Sequence, residues 1–106
     1  KGVSVLEVIG RDYQKELSLK DSSKDLFINP VYLGQLIKRE TNSTFAELLN
    51  KQRIKAAQQL LLSTSDSIED ICYAVGYSNV GYFYKVFRKL CGKSPKAYRK
   101  QVETTL

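Results

Sequence analysis

The segment from Ile68 to Arg99, IEDICYAVGYSNVGYFYKVFRKLCGKSPKAYR, constrains the fold more than any other part of the chain. Ile68, Ile71, Cys72 and Val75 fall at i, i+3, i+4 and i+7, which lays one apolar face along a short helix. Ser67 is placed to cap that helix, with Asp70 three positions on to complete a capping box. Gly76 supplies the left-handed residue that ends it. Ser78 is placed to cap a second helix, with Phe83, Val86, Phe87 and Leu90 inward and Gly92 as the stop. Val80, Gly81, Tyr84, Lys85 and Arg88 remain on the other face. Two short helices, a tight glycine turn and an exposed basic-polar second helix make a helix-turn-helix pattern. A plain helical hairpin of a bundle has the same periodicity, so the spacing alone does not separate the two.

Charge separates them. No acidic residue stands between Asp70 and Glu103, where Lys85, Arg88, Lys89, Lys93, Lys96, Arg99 and Lys100 all fall. The rest of the chain holds ten basic and eleven acidic residues, so the whole net charge of +6 is carried by the C-terminal third. A run of charge is often just a solvated face, but one sign concentrated on a helix-turn-helix is the footprint of a polyanion site.

A chain of 106 residues makes one compact domain, or two very small ones sharing a core. No apolar run is long enough to span a bilayer and no signal-peptide pattern opens the chain, so no membrane partner and a cytoplasmic location are expected. The chain begins at Lys1 without a methionine, which reads as a piece of a longer protein. With two cysteines and no histidine there is no zinc set, and Cys72, on an inward face, is expected to be buried and unpaired. Neither a cofactor nor a metal is implied. No histidine, no paired carboxylates in an apolar setting and no phosphate-cradling glycine loop supply a catalytic group, so an enzyme is not expected.

Taken in order, Val3 to Leu17 carries a helical stripe of Val5, Leu6, Ile9, Tyr13 and Leu17, weakened by Gly10. Leu19, Ser23, Leu26 and Phe27 form a short helical face over Lys20 to Ile28, although Ser22 and Ser23 are poor helix residues. Asn29 and Pro30 read as an N-cap and the first helical position. The helix they open, Pro30 to Thr41, buries Leu33, Leu36 and Ile37, exposes Val31, Gly34, Gln35, Lys38 and Arg39, and ends at a left-handed Asn42. Ser43 or Thr44 caps a long helix to about Ser63, with Phe45, Leu48, Leu49, Ile54, Ala57, Leu60 and Leu61 apolar. A repeat then shows itself. Leu33, Leu36, Ile37, Asn42 and Phe45 correspond to Phe83, Val86, Phe87, Gly92 and Pro95, each fifty positions on. The expectation is all-α: seven helices, no sheet, and two homeodomain-like helix-turn-helix lobes (about 3–43 and 64–102) joined by a linker helix over 44–63.

The residues also match a family. Gly76-Tyr77, Tyr82-Phe83, Phe87-Arg88, Gly92-Lys93-Ser94-Pro95 and Tyr98-Arg99, with NPVYLGQLIKRETNSTFAELLNKQRIKAAQQLL before them, resemble the C-terminal DNA-binding domain of AraC/XylS transcription regulators. The resemblance runs from about Val3 to Lys100. It implies double-stranded DNA as partner, a transcription-regulating and activating role, and two recognition helices entering successive major grooves. It also implies a sensor, receiver or dimerisation domain N-terminal to the chain, and contact with RNA polymerase. The segment Tyr32-Leu33-Gly34-Gln35-Leu36-Ile37-Lys38 is most similar to members fused to response-regulator receiver domains. This sequence departs from the family pattern at Ser22 and Ser23, at Cys72 (usually alanine) and at Asn42 (often glycine).

Base reading falls to outward residues near the start of each recognition helix. In the first unit these are Val31, for a thymine methyl, Gly34, and Gln35, for the N6 and N7 edge of adenine. In the second they are Val80, Gly81 and Lys85; Lys85 reaches either guanine O6 and N7 or a phosphate, and Gly81 is either a close approach to DNA or a tolerated glycine. Tyr32, Lys38, Arg39, Tyr82, Arg88, Lys93, Ser94 and Lys96 are the candidates for the DNA backbone, the last three beside a helix N-terminus. Tyr77, Phe83, Phe87 and Tyr98 are read as core. The alternative from another class is a helical protein-interaction module meeting RNA polymerase or a partner domain. The two differ in salt: DNA binding weakens steeply with it and an apolar interface does not.

Overall fold

The computed structural model describes residues 4–105, with side chains to residue 101, so Val3 lies outside the described residues. Among these there are seven helices and no strand: α1 (Val5–Asp12), α2 (Leu19–Asp25), α3 (Pro30–Thr41), α4 (Phe45–Ser63), α5 (Ile68–Ala74), α6 (Val80–Cys91) and α7 (Pro95–Thr105). The chain divides into two compact units, residues 1–52 and 53–106, and α4 supplies residues to both.

Capping explains most of the boundaries. Ser4 and Glu7 close a full capping box on α1. Thr44 and Glu47 do the same on α4, where the Thr44 amide donates to Glu47 Oε1 at 2.8 Å and the Glu47 amide to Thr44 Oγ1 at 3.1 Å. On α5 only half of the expected box forms: Ser67 Oγ accepts from the Asp70 amide at 3.0 Å. The aspartate side chain is a methylene shorter than glutamate and returns no bond. The second helix of that pair is capped by Asn79, not by Ser78, with Oδ1 accepting from the Tyr82 amide at 2.7 Å. Asn29 caps α3 in the same way, accepting from the Val31 and Tyr32 amides ahead of Pro30 at the first turn. Both helices then end on a left-handed residue, Asn42 at φ 59° and Gly92 at φ 79°.

The first unit packs around Ile9, Leu33, Ile37, Phe45 and Leu49, with Val5, Tyr13, Leu17, Leu19, Leu26 and Ile28 against it. Helix α1 stops at Asp12, well short of Leu17; Tyr13 and Leu17 still reach the core, but from the connection that follows. Ser22 and Ser23 are buried in α2, and Ser23 Oγ donates to the Lys20 carbonyl at 2.7 Å, which satisfies the hydroxyl inside the helix. Phe27 is not part of the inward face. It is 95% exposed and held at φ 58°.

In the second unit Ile54, Ala57, Leu61, Ile71, Cys72, Val75, Tyr77, Phe83 and Phe87 are buried. Aromatic edges interlock through it: Tyr77 against Phe83, Phe83 against Phe87, and Phe87 against Tyr98, with centroids 5.4, 5.8 and 5.7 Å apart. Cys72 is fully buried and both cysteines are free, as the spacing led one to expect. Leu90, in contrast, is 45% exposed rather than inward. It is the penultimate residue of α6, past Phe87, the last buried residue of that helix. Arg99 reaches back from α7, its Nε donating to the Leu61 carbonyl and its Nη2 to the Thr64 carbonyl at 3.1 and 3.2 Å. Those carbonyls at the end of α4 have no helical partner of their own.

A left-handed turn residue and a helix cap respond differently to substitution. Phe27→Gly removes a strained backbone and no buried surface, so its urea midpoint is expected to stay within about 1 kcal/mol of the parent. Thr44→Ala, which leaves the α4 cap unmade, is expected to cost about 1 kcal/mol in the same measurement.

Candidate nucleic-acid interface

The turn before each exposed helix is built on one plan. In the first unit the amides of Leu26, Phe27 and Ile28 donate to the carbonyls of Ser22, Lys24 and Ser23. In the second, those of Val75, Gly76 and Tyr77 donate to Ile71, Tyr73 and Cys72, each forty-nine positions on. The middle residue is left-handed in both, Phe27 at φ 58° and Gly76 at φ 113°. One extra residue, Ser78, then brings the offset to fifty at the capping asparagines. From there the helices agree position by position. Val31, Tyr32, Gln35, Lys38 and Arg39 are exposed on α3, and Gly81, Tyr82, Lys85, Arg88 and Lys89 are exposed at the equivalent places on α6.

Most of the expected contact residues lie on these faces. Gly34 does not. A Cβ there would stand 3.3 Å from Leu19 Cδ2, so the glycine makes room for α2 and faces inward rather than toward a ligand. Its equivalent on α6 is the half-buried Tyr84. Val80 is half-buried. Gly81 is exposed, and a Cβ would approach the capping Asn79 Oδ1 at 3.2 Å, a third reason for glycine beyond the two the sequence suggested. Lys96 is exposed, whereas Lys93 is half-buried with its ammonium on Gln101, and Ser94 Oγ accepts from the Ala97 amide as the α7 cap. Lys38 sends its ammonium toward the Asn42 carbonyl at 3.5 Å. Arg99, one of the seven unopposed charges, is spent on the α4 carbonyls.

Sequence reasoning missed Arg53. It is buried in the second unit with its guanidinium carbon 5.2 Å from the Tyr77 ring centroid. Tyr77 in turn meets the ring of Tyr82, in the first turn of α6, at 5.9 Å and 62°. Burial lowers the Arg53 guanidinium from its ordinary value, against the pull of the Tyr77 and Tyr82 phenols. Burial likewise pushes the Tyr77 phenol well up, with Arg53 working the other way. The only sequence signal was an arginine where the α4 stripe calls for an apolar residue, between Leu49 and Ile54.

The fold and this exposed basic face define a DNA-binding helix-turn-helix domain. Residues 23–101 match the family model described as "Helix-turn-helix domain", and the chain belongs to that family, in its AraC-type form. It is 33% identical over 97 residues to the regulatory protein PocR of Salmonella typhimurium, covering 92% of this chain and 32% of that protein. It is 38% identical over 88 residues to the transcriptional regulatory protein YesN of Bacillus subtilis, covering 80% and 24%. The chain therefore spans about a third or less of these relatives. Among solved structures it is similar to the C-terminal domain of AraT, a response regulator from Geobacillus stearothermophilus, with TM-score 0.88, 37% identity, and coverage of 92% and 81%. The DNA-binding domain of AdpA, solved with a target DNA, has the same fold at TM-score 0.90 and 20% identity, over 95% and 91%. No helix among the described residues is long and apolar enough to cross a membrane.

Buried groups set an alkaline limit on stability. Burial raises the Cys72 thiol, with a smaller contribution from Glu69, and raises Tyr77 as above, so both hold their protons longer folded than unfolded. Their contribution is complete below the ordinary thiol and phenol values and is lost as pH rises through the folded ones. The urea midpoint is expected to be level to about pH 8 and to fall above about pH 9, with Cys72→Ala delaying the onset.

Proposed function

We propose that each unit places its asparagine-capped helix, α3 or α6, in a major groove of double-stranded DNA, so that one chain reads a non-palindromic site for transcription regulation, in the sense of activation. The observation that carries this reading is the position-by-position agreement of the two exposed faces, fifty residues apart, each ending in paired cations. Val31 and Gln35 on α3 and Gly81 and Lys85 on α6 stand where base edges would lie. Val80 belongs to the same edge through its exposed part, and Gly34 only as the glycine that lets α2 close on α3. Tyr32, Lys38, Arg39, Tyr82, Arg88, Lys93, Ser94 and Lys96 hold the phosphates. A cytoplasmic bacterial setting, a receiver domain preceding this one and contact with RNA polymerase belong to the same reading; its support is that the relatives are bacterial and that AraT, whose C-terminal domain this chain resembles, is a response regulator.

Selection of bound sequences from a random DNA pool at fixed salt tests it. Gln35→Ala is expected to relax preference at one or two base pairs and to weaken the best site by about 1–3 kcal/mol. Lys96→Ala is expected to weaken all sequences alike and to flatten the salt dependence. Loss of binding without any change of preference in Gln35→Ala overturns its assignment to the base edge. Hydroxyl-radical footprinting at monomeric concentration is expected to show two protected segments, and protection of a single segment overturns the tandem reading.

A further inference from the structure

The first unit carries a surface that DNA reading does not use. A cleft of about 450 Å³ opens between α1 and α2, walled by Val5, Val8, Leu17, Leu26 and Phe27. Phe27 forms its outer edge with 95% of its surface exposed, in a left-handed conformation where the second unit has Gly76. Nothing in the turn requires an aromatic there, since the same three backbone bonds form around glycine in the second unit. A large apolar side chain held out in solvent at a strained position marks a contact surface.

Charge says which kind. Three aspartates and one arginine line the cleft. Asp12 is neutralised by Arg11 at 3.0 Å and faces Lys15 at 3.5 Å. Asp21 and Asp25 lie one turn apart on α2, and among the described residues neither has an ion-pair partner. Like charges at i and i+4 weaken a helix slightly and are not explained by its stability. In a chain of net charge +6 this is an acidic spot, and its two carboxylates repel phosphate. The Lys20 and Lys24 side chains of the same helix do not line it.

We infer that the α1–α2 cleft docks a protein segment that pairs apolar side chains with lysine or arginine, the apolar groups against Leu26 and Phe27 and the cations on Asp21 and Asp25. This does not rest on the DNA reading and has its own test. Isotope-labelled protein, free of DNA, is titrated with two synthetic helical peptides of identical leucine spacing, one carrying lysine and the other glutamate at the remaining positions. The lysine peptide is expected to shift the amides of Val8, Leu17, Leu26 and Phe27 saturably, and the glutamate peptide is not. Phe27→Gly, which keeps the backbone conformation, and the double change Asp21→Asn with Asp25→Asn are each expected to weaken the lysine peptide about tenfold. DNA affinity of the Phe27→Gly chain is expected to stay unchanged. The inference is overturned by equal shifts with both peptides, by shifts elsewhere or none, or by variants that bind as the parent does. Weaker DNA binding on Phe27→Gly would make the patch a DNA contact, and concentration-dependent shifts without peptide would make it a contact between copies; either result also overturns it.

Discussion

A single side-chain oxygen sets the phase of each exposed helix. Asn29 and Asn79 each accept from amides of the first turn that have no carbonyl to bond, and so fix the residue at which the helix begins. In an α-helix a start displaced by one residue turns every later side chain through about 100°. Leu33 and Ile37, or Phe83 and Phe87, would then leave the core, and the exposed rows would turn inward. Burial of these apolar pairs and the outward aim of Gln35 and Lys85 are thus one fact seen from two sides.

The units meet that requirement with different cores. The second locks its turn from within: Tyr77 is buried, its ring carries Arg53 on one side and touches Tyr82 and Phe83, and its amide bonds the Cys72 carbonyl. The first has Ile28 at the same point, only partly buried, and two serines where the second has Ile71 and Cys72. Serine in that place fills less volume and must return its hydroxyl to the helix, as Ser23 does on Lys20. The aromatic ladder of the second unit has no counterpart among the described residues of the first.

Helices, their order and their repeat were legible because period 3.6 and end signals are local properties of a chain. The limits of α3 and the stop of α6 came out residue for residue because Asn-Pro, Asn42 and Gly92 punctuate them, α4 came out to within a residue, and the start of α6 was placed one residue early. What was misjudged depended on partners distant in sequence or on geometry finer than a residue type. Gly34 reads as an outward position until Leu19 is seen against it. Ser78 and Asn79 are both good caps, and only the longer turn decides between them. Phe27 looks like core by hydrophobicity, but its backbone points it to water. Arg53 breaks the apolar stripe and is understood only with Tyr77 beside it, while Arg99, counted among free cations, is committed to carbonyls thirty-five and thirty-eight residues away. The candidate contact row was legible because the fifty-residue repeat carries it twice.

The single additional residue in the second turn has a consequence for how such a domain changes over generations. Ser78 is exposed and lies between the bonded Tyr77 amide and the Asn79 cap, so the connection absorbs an insertion without passing it on to the helix. Length of the connection and phase of the helix are decoupled. An added residue, which inside the helix would turn every later side chain, is absorbed at this joint, and each unit is free to differ in how it leads into its helix while the row of residues it displays keeps its order.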